Sequence, residues 1–155
     1  MFEIRKHLAE ISQSNWSACK AGLASDAVYE EVATHVRVKG ADEYLAVIQR
    51  WKRAFPDLTA TVLDTFVAGD RIVAEVQWEG THSGALEGPL GTIAPTNKRG
   101  VIQAAIVATV QNDKLVELHQ YFDVLTLLGN LGIAPVAGAP PKSAQAGGGP
   151  GLRHP

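Results

Sequence analysis

One stretch sets several side chains capable of acid–base or hydrogen-bond chemistry close together in the chain. Lys114 to Asp123 reads K-L-V-E-L-H-Q-Y-F-D. Its alternation predicts a strand with Leu118, Gln120 and Phe122 on one face. Glu117, His119, Tyr121 and Asp123 fall on the other face, which is read as pointing to solvent or a partner subunit. A single amide on an apolar face must find partners, from protein, water or ligand. Gln120 is therefore the first candidate, able to polarise or orient a ligand carbonyl. His82, in G-T-H-S-G, falls on the same side as Trp78 if the preceding alternation continues, and its near-neutral pKa suits proton transfer. Asp123 either moves protons or caps the helix that follows, a position where Asp is favoured. The apolar stripe residues Trp51, Trp78 and Phe122 are expected as core or as pocket walls, with Tyr29 near the mouth. Glu31, on the same short segment as Tyr29, is read as a surface carboxylate. Among the histidines His7, His35, His82, His119 and His154 the spacing shows no i, i+4 pair and no adjacent thiolate, so no metal site is predicted.

The elements that must position these residues follow from periodicity. Phe2 to Leu23 carries a helical stripe through Ile4, Leu8, Ile11, Trp16 and Cys19. Short extended pieces are expected at 27–32 and 34–38. A second helix runs from Asp42 to Phe55, with Tyr44, Val47, Ile48 and Trp51 on its apolar side and Pro56 as its stop. Strands follow at 58–67 and 71–82, joined by a tight Gly69-Asp70 turn. The Gly- and Pro-rich segment 84–95 is read as loop. The near-continuous apolar run 101–110 predicts a central strand buried on both faces. Asn112-Asp113 turns the chain into the last strand, and a short apolar helix ends at Gly132. Two helices followed by a meander of long strands imply an α+β domain with a bent sheet wrapped around the helices. That domain spans 1–133, and 134–155 is a Pro/Gly/Ala-rich stretch expected to be flexible.

Composition narrows the function classes. Hydrophobic residues make up 46%, charged residues 19%, and the net charge is -2. No dense basic stripe is present, which argues against nucleic acid as a partner. Cys19 is the sole cysteine, so no intrachain disulfide forms. The first residues lack the apolar core of a signal peptide, and no run approaches the ~18 residues of a membrane span. A cytoplasmic protein with no membrane partner is the expectation.

Several pieces, taken in order, resemble the SnoaL-like polyketide (ester) cyclases of the NTF2-like superfamily. They are K-G-A-D-E-Y-L-A-V-I-Q-R-W-K-R-A-F-P-D-L at Lys39 to Leu58, G-D-R-I-V at Gly69 to Val73, and G-T-H-S-G at Gly80 to Gly84. A-P-T-N-K at Ala94 to Lys98, and D-K-L-V-E ahead of Y-F-D and N-L-G, complete the set. The resemblance implies a cone-shaped α+β barrel, with helices packed in a strongly curved antiparallel sheet around an apolar pocket. It further implies homodimers formed through the outer sheet face, and aldol-type ring closure of a polyketide ester without metal or cofactor. Limonene-epoxide hydrolases and ketosteroid isomerases share the shape, so the fold leaves the reaction open. The cyclases carry an aspartate on the last strand before an aromatic residue, and Gln120 occupies that place here. They carry a histidine on the preceding strand, where this chain has Ile106. The resemblance thus implies a pocket, lined in part by Ile106, whose usual acid–base pair is gone. Two readings stay open: an enzyme acting on a small hydrophobic carbonyl or ester compound with altered catalytic groups, or a non-catalytic binding or scaffold protein.

Overall fold

Twelve elements form along the chain in the computed structural model, which describes residues 1–88 and 91–133. They are α1 (Ile4–Ser12), α2 (Trp16–Ala21), β1 (Leu23–Glu31), β2 (Val36–Lys39), α3 (Ala41–Ala54) and β3 (Thr59–Ala68). Then come β4 (Arg71–Thr81), β5 (Leu86–Gly88), β6 (Gly91–Ile93), β7 (Arg99–Gln111), β8 (Lys114–Phe122) and α4 (Val124–Asn130). Six strands make one strongly curved sheet in the order β2-β1-β8-β7-β4-β3, and β5 and β6 form a separate small hairpin. The α+β architecture agrees with the sequence reading. One junction differs from an all-antiparallel sheet: β1 runs parallel to β8. The stretch read as a flexible tail, 134–155, lies outside the described residues.

Local chemistry explains most boundaries. Asn112 and Asp113 both adopt positive φ, 50° and 61°, the geometry a two-residue hairpin turn needs to match strand twist. Register shifts occur on β8 opposite Thr109/Val110 and on β3 between Val62 and Asp64. Such bulges bend a strand and increase its twist, which is how a long meander curls. In α3, Asp42 and Glu43 occupy the first turn and Lys52 and Arg53 the last, complementing the helix dipole at both ends. Tyr44, Leu45, Val47 and Ile48 of this helix are buried against the concave side of the sheet, where Val76, Trp78, Ile106, Leu115 and Leu118 meet them.

Four sequence readings are corrected. The helix expected over 2–23 is two helices, because Ser14 takes φ 57° and Asn15 accepts a bond from the Ala18 N–H to start α2. β1 then begins at Leu23, so Ser25 and Asp26 lie within a strand instead of ending a helix. The segment 84–95 read as loop contains the β5–β6 hairpin, in which Leu86 pairs with Ile93 and Gly88 with Gly91. β7 is central but buried on one face only. Ala104, Ile106 and Ala108 are buried, while Val101, Ala105 and Val107 on the convex side are half-buried. The apolar run reflects that convex face as well as the core.

Candidate functional site

Register brings the polar core together. Gln120 on β8 stands directly opposite Ile106 on β7 and beside Glu31 on β1. All three are buried, at 8%, 1% and 1% exposure. The Trp78 indole N–H, which can only donate, lies 2.8 Å from the amide oxygen of Gln120. That fixes the amide's orientation. Its nitrogen then donates to the Tyr29 hydroxyl at 3.0 Å. The Tyr29 hydroxyl in turn donates to Glu31 Oε2 at 2.7 Å. Burial, and the neighbouring Glu31 charge, hold the Tyr29 phenol well above its ordinary pKa, so it stays a donor. Trp51 Nε1 also donates to Glu31 Oε2, at 2.8 Å, and Thr34 Oγ1 donates to Oε1 at 2.7 Å. The result is a bonded chain from Trp78 through Gln120 and Tyr29 to Glu31.

Glu31 was read from sequence as a surface carboxylate, and the structure overturns that. It is buried at the cleft wall, with no cation in ion-pair range among the described residues. Three donors offset the cost of burying it. A carboxylate offers about four acceptor directions, so one remains, on Oε1. The missed signal was parity. Ala27, Tyr29 and Glu31 alternate on β1, and a Tyr29 that faces inward obliges Glu31 to do the same. Tyr29 itself lies deep in the core, its ring 4.8 Å from that of Tyr44, instead of at a pocket mouth.

Two hollows flank this chain. A small chamber of about 50 Å³ is bounded by Ile48, Trp51, Phe55, Trp78, Gln120, Phe122 and Leu127, among others. It has room for a water or two. A larger cleft of about 480 Å³ lies between the start of β2, the C-terminal half of α3, the β5–β6 hairpin and α4. Its walls include Glu31, Thr34, Val36, Arg50, Trp51, Leu86, Ile93, Leu125 and Leu128. That volume and that largely apolar lining suit a small-molecule ligand. Of the five wall residues expected from sequence, Trp51 borders both hollows, and Trp78 and Phe122 border the small one. Tyr29 and Ile106 border neither.

The other predicted groups fall outside the hollows. His82 is fully buried, stacked on Phe55 with ring centroids 5.2 Å apart. Its Nδ1 accepts from the Thr96 N–H at 3.2 Å, and its main chain bonds Asn97 and Lys98. Burial lowers its pKa. These contacts tie the 96–98 segment to the end of β4. Asp123 is exposed and caps α4, accepting from the Leu125 and Thr126 N–H groups and the Thr126 hydroxyl. Those bonds lower its pKa. The capping alternative is therefore the one realised, and Asp123 borders neither hollow. On the convex face His119 sits between Glu117, at 2.8 Å, and Glu30, at 3.4 Å, with Arg37 beside both carboxylates.

A strongly curved α+β sheet that closes over buried polar groups, with helices packed inside it, is the architecture of the NTF2-like fold. The model of the SnoaL-like polyketide cyclases matches residues 3–131, and the chain belongs to that family. Among solved structures it is similar to IdmH from Streptomyces antibioticus, a candidate polyketide cyclase. The identity is 25% and the TM-score 0.71, over 83% of this chain and 95% of that one. It is similar in fold to AclR from Streptomyces galilaeus, a candidate hydroxylase, at 22% identity and TM-score 0.72, covering 90% and 82%. An LEH-like epoxide hydrolase of M. tuberculosis also shares the fold, at 18% identity and TM-score 0.65, covering 86% and 90%. A comparison with curated proteins returns no match. Among the described residues no helix is long and apolar enough to cross a membrane.

Proposed function

We propose that the chain is an enzyme of cyclase or isomerase type, acting on a small hydrophobic carbonyl or ester compound held in the larger cleft. Glu31 takes the proton-transfer role. The single observation that carries this reading is a buried, cation-free carboxylate in the wall of a cleft of about 480 Å³. Abstraction of a proton next to a carbonyl needs a carboxylate or imidazole at hydrogen-bond reach of that carbon. Glu31 is oriented by Tyr29, Trp51 and Thr34 and keeps one acceptor direction unused. Gln120 then acts at one remove. Its amide aligns Tyr29, and Tyr29 aligns the carboxylate. The convex sheet face, with Phe66 and Tyr121 exposed, supports a homodimer.

The test compares the parent with Glu31→Gln, using a panel of hydrophobic β-keto esters as substrates. Trp fluorescence reads binding, because Trp51 stands in the cleft wall. The expected result is retained binding with loss of turnover by a factor of 10² or more. Undiminished turnover would remove Glu31 from the chemistry. Binding without turnover in the parent would favour the second reading, a non-catalytic binding protein. The support for that reading is that the Gln120 amide cannot take a proton near neutral pH and is already engaged by Trp78 and Tyr29.

A further inference from the structure

Outside the lining of the cleft, the turn between α1 and α2 folds the single cysteine back against the first helix. Ligand atoms of His7, Glu10 and Cys19 all come within 4.8 Å of one another. Sequence spacing gave no metal site, because Cys19 reaches His7 only through that turn. His7 and Cys19 are buried, at 2% and 0% exposure. Glu10, one turn along α1 from His7, reaches the surface with 14% of its side chain exposed.

The imidazole supplies the independent observation. His7 Nε2 lies 3.0 Å from the Tyr44 hydroxyl, while Nδ1 is buried with no hydrogen-bond partner among the described residues. A buried nitrogen left without a partner is costly, and an ion is one of the groups that can satisfy it. Histidine ligands commonly donate the second ring N–H to an oxygen, which fixes the tautomer and leaves the other nitrogen free to coordinate. The Tyr44 hydroxyl is placed for that role.

We propose that His7, Glu10 and Cys19 form a binding site for a divalent transition-metal ion of the zinc class. The donor set of imidazole, thiolate and carboxylate suits zinc or cobalt, and excludes calcium and magnesium, which take oxygen ligands. Tetrahedral zinc places neighbouring ligand atoms roughly 3.3–3.8 Å apart, so the three side chains must close by up to about 1 Å on binding. On binding, the Cys19 thiol passes its proton to the buffer and the thiolate bonds the metal. The fourth position belongs to water on the Glu10 side, the one side that meets solvent. The ion clips α1 to α2 and, through Tyr44, abuts the Tyr29 end of the polar chain.

The experiment titrates the full-length, metal-stripped protein with Co²⁺. The expected result is saturation at one equivalent, with a near-ultraviolet thiolate-to-cobalt absorption that other histidines cannot produce. Zn²⁺ should bleach that band and raise the melting temperature. Cys19→Ser should abolish the band, and Glu10→Gln, on a half-buried helix face that tolerates the change, should weaken affinity by about tenfold or more. Absence of the band in the parent overturns the proposal. So does equal affinity in the Glu10→Gln protein, which decides the matter even if the Cys19 variant fails to fold.

Discussion

Gln120 and Glu31 share one register position yet differ in what they can do. The amide is tied at both ends, by Trp78 and Tyr29, so it transmits orientation. The carboxylate has an unused acceptor direction and a cleft beside it. A Gln120→Leu substitution should therefore leave ligand affinity nearly unchanged while lowering turnover, because it removes one of the two hydrogen bonds that orient the Tyr29 hydroxyl. It also strands the Trp78 N–H, at a stability cost of about 1–3 kcal/mol. Steady-state kinetics and denaturant melts on one preparation check both. Burial lowers the His82 pKa, so the unfolded chain binds a proton there more readily than the folded one. The sign follows: the His82 contribution to stability is complete above its unfolded pKa of 6.5 and declines as the pH falls below it. His82→Gln should flatten the dependence of melting temperature on pH in that acidic range. The placement of Gln120 was legible in its own strand. That of Glu31 is masked by its charge, although the two-residue alternation of Ala27 and Tyr29 already turns it inward.

At the scale of elements, bulges and close backbone approaches decide the shape. Between Leu115 and Leu118 the inward alternation of β8 skips a residue, at the register shift facing Thr109/Val110. Alternation read from Leu118 onward was therefore safe, but carried back across the bulge it would have inverted the faces. Likewise the short β5–β6 hairpin is too brief for periodicity to register against its glycines. Gly84 shows how closely α3 meets the loop after β4. A Cβ there would lie 2.0 Å from the Arg53 carbonyl oxygen, and the Gly84 N–H bonds the Ala54 carbonyl. Gly84→Ala should accordingly displace the end of α3, lowering thermal stability and changing the cleft wall at Arg50 and Trp51. Hydrogen exchange at Phe55 and Gly84 would report it. Ile106→Ala, in the middle of β7, should cost about 2–5 kcal/mol in denaturant unfolding, because its neighbours on both sides are fixed by strand pairing.

For the molecule as a whole, the long-range organisation was legible because each hairpin declares itself locally, through Gly69-Asp70 and Asn112-Asp113. The parallel contact between β1 and β8 is the part no local pattern announces, since it joins segments about ninety residues apart. That contact is also what sets Glu31 next to Gln120. Trp51 then acquires a significance beyond its hydrogen bond. With Leu127 it stands between the small chamber and the cleft, latched by its indole N–H to Glu31. While the latch holds, the reach of a bound compound stops at that ring. Removing the ring by Trp51→Ala should join the two spaces into one gallery, so that the protein would rank ligands by length differently, admitting chains several carbons longer than the parent accepts.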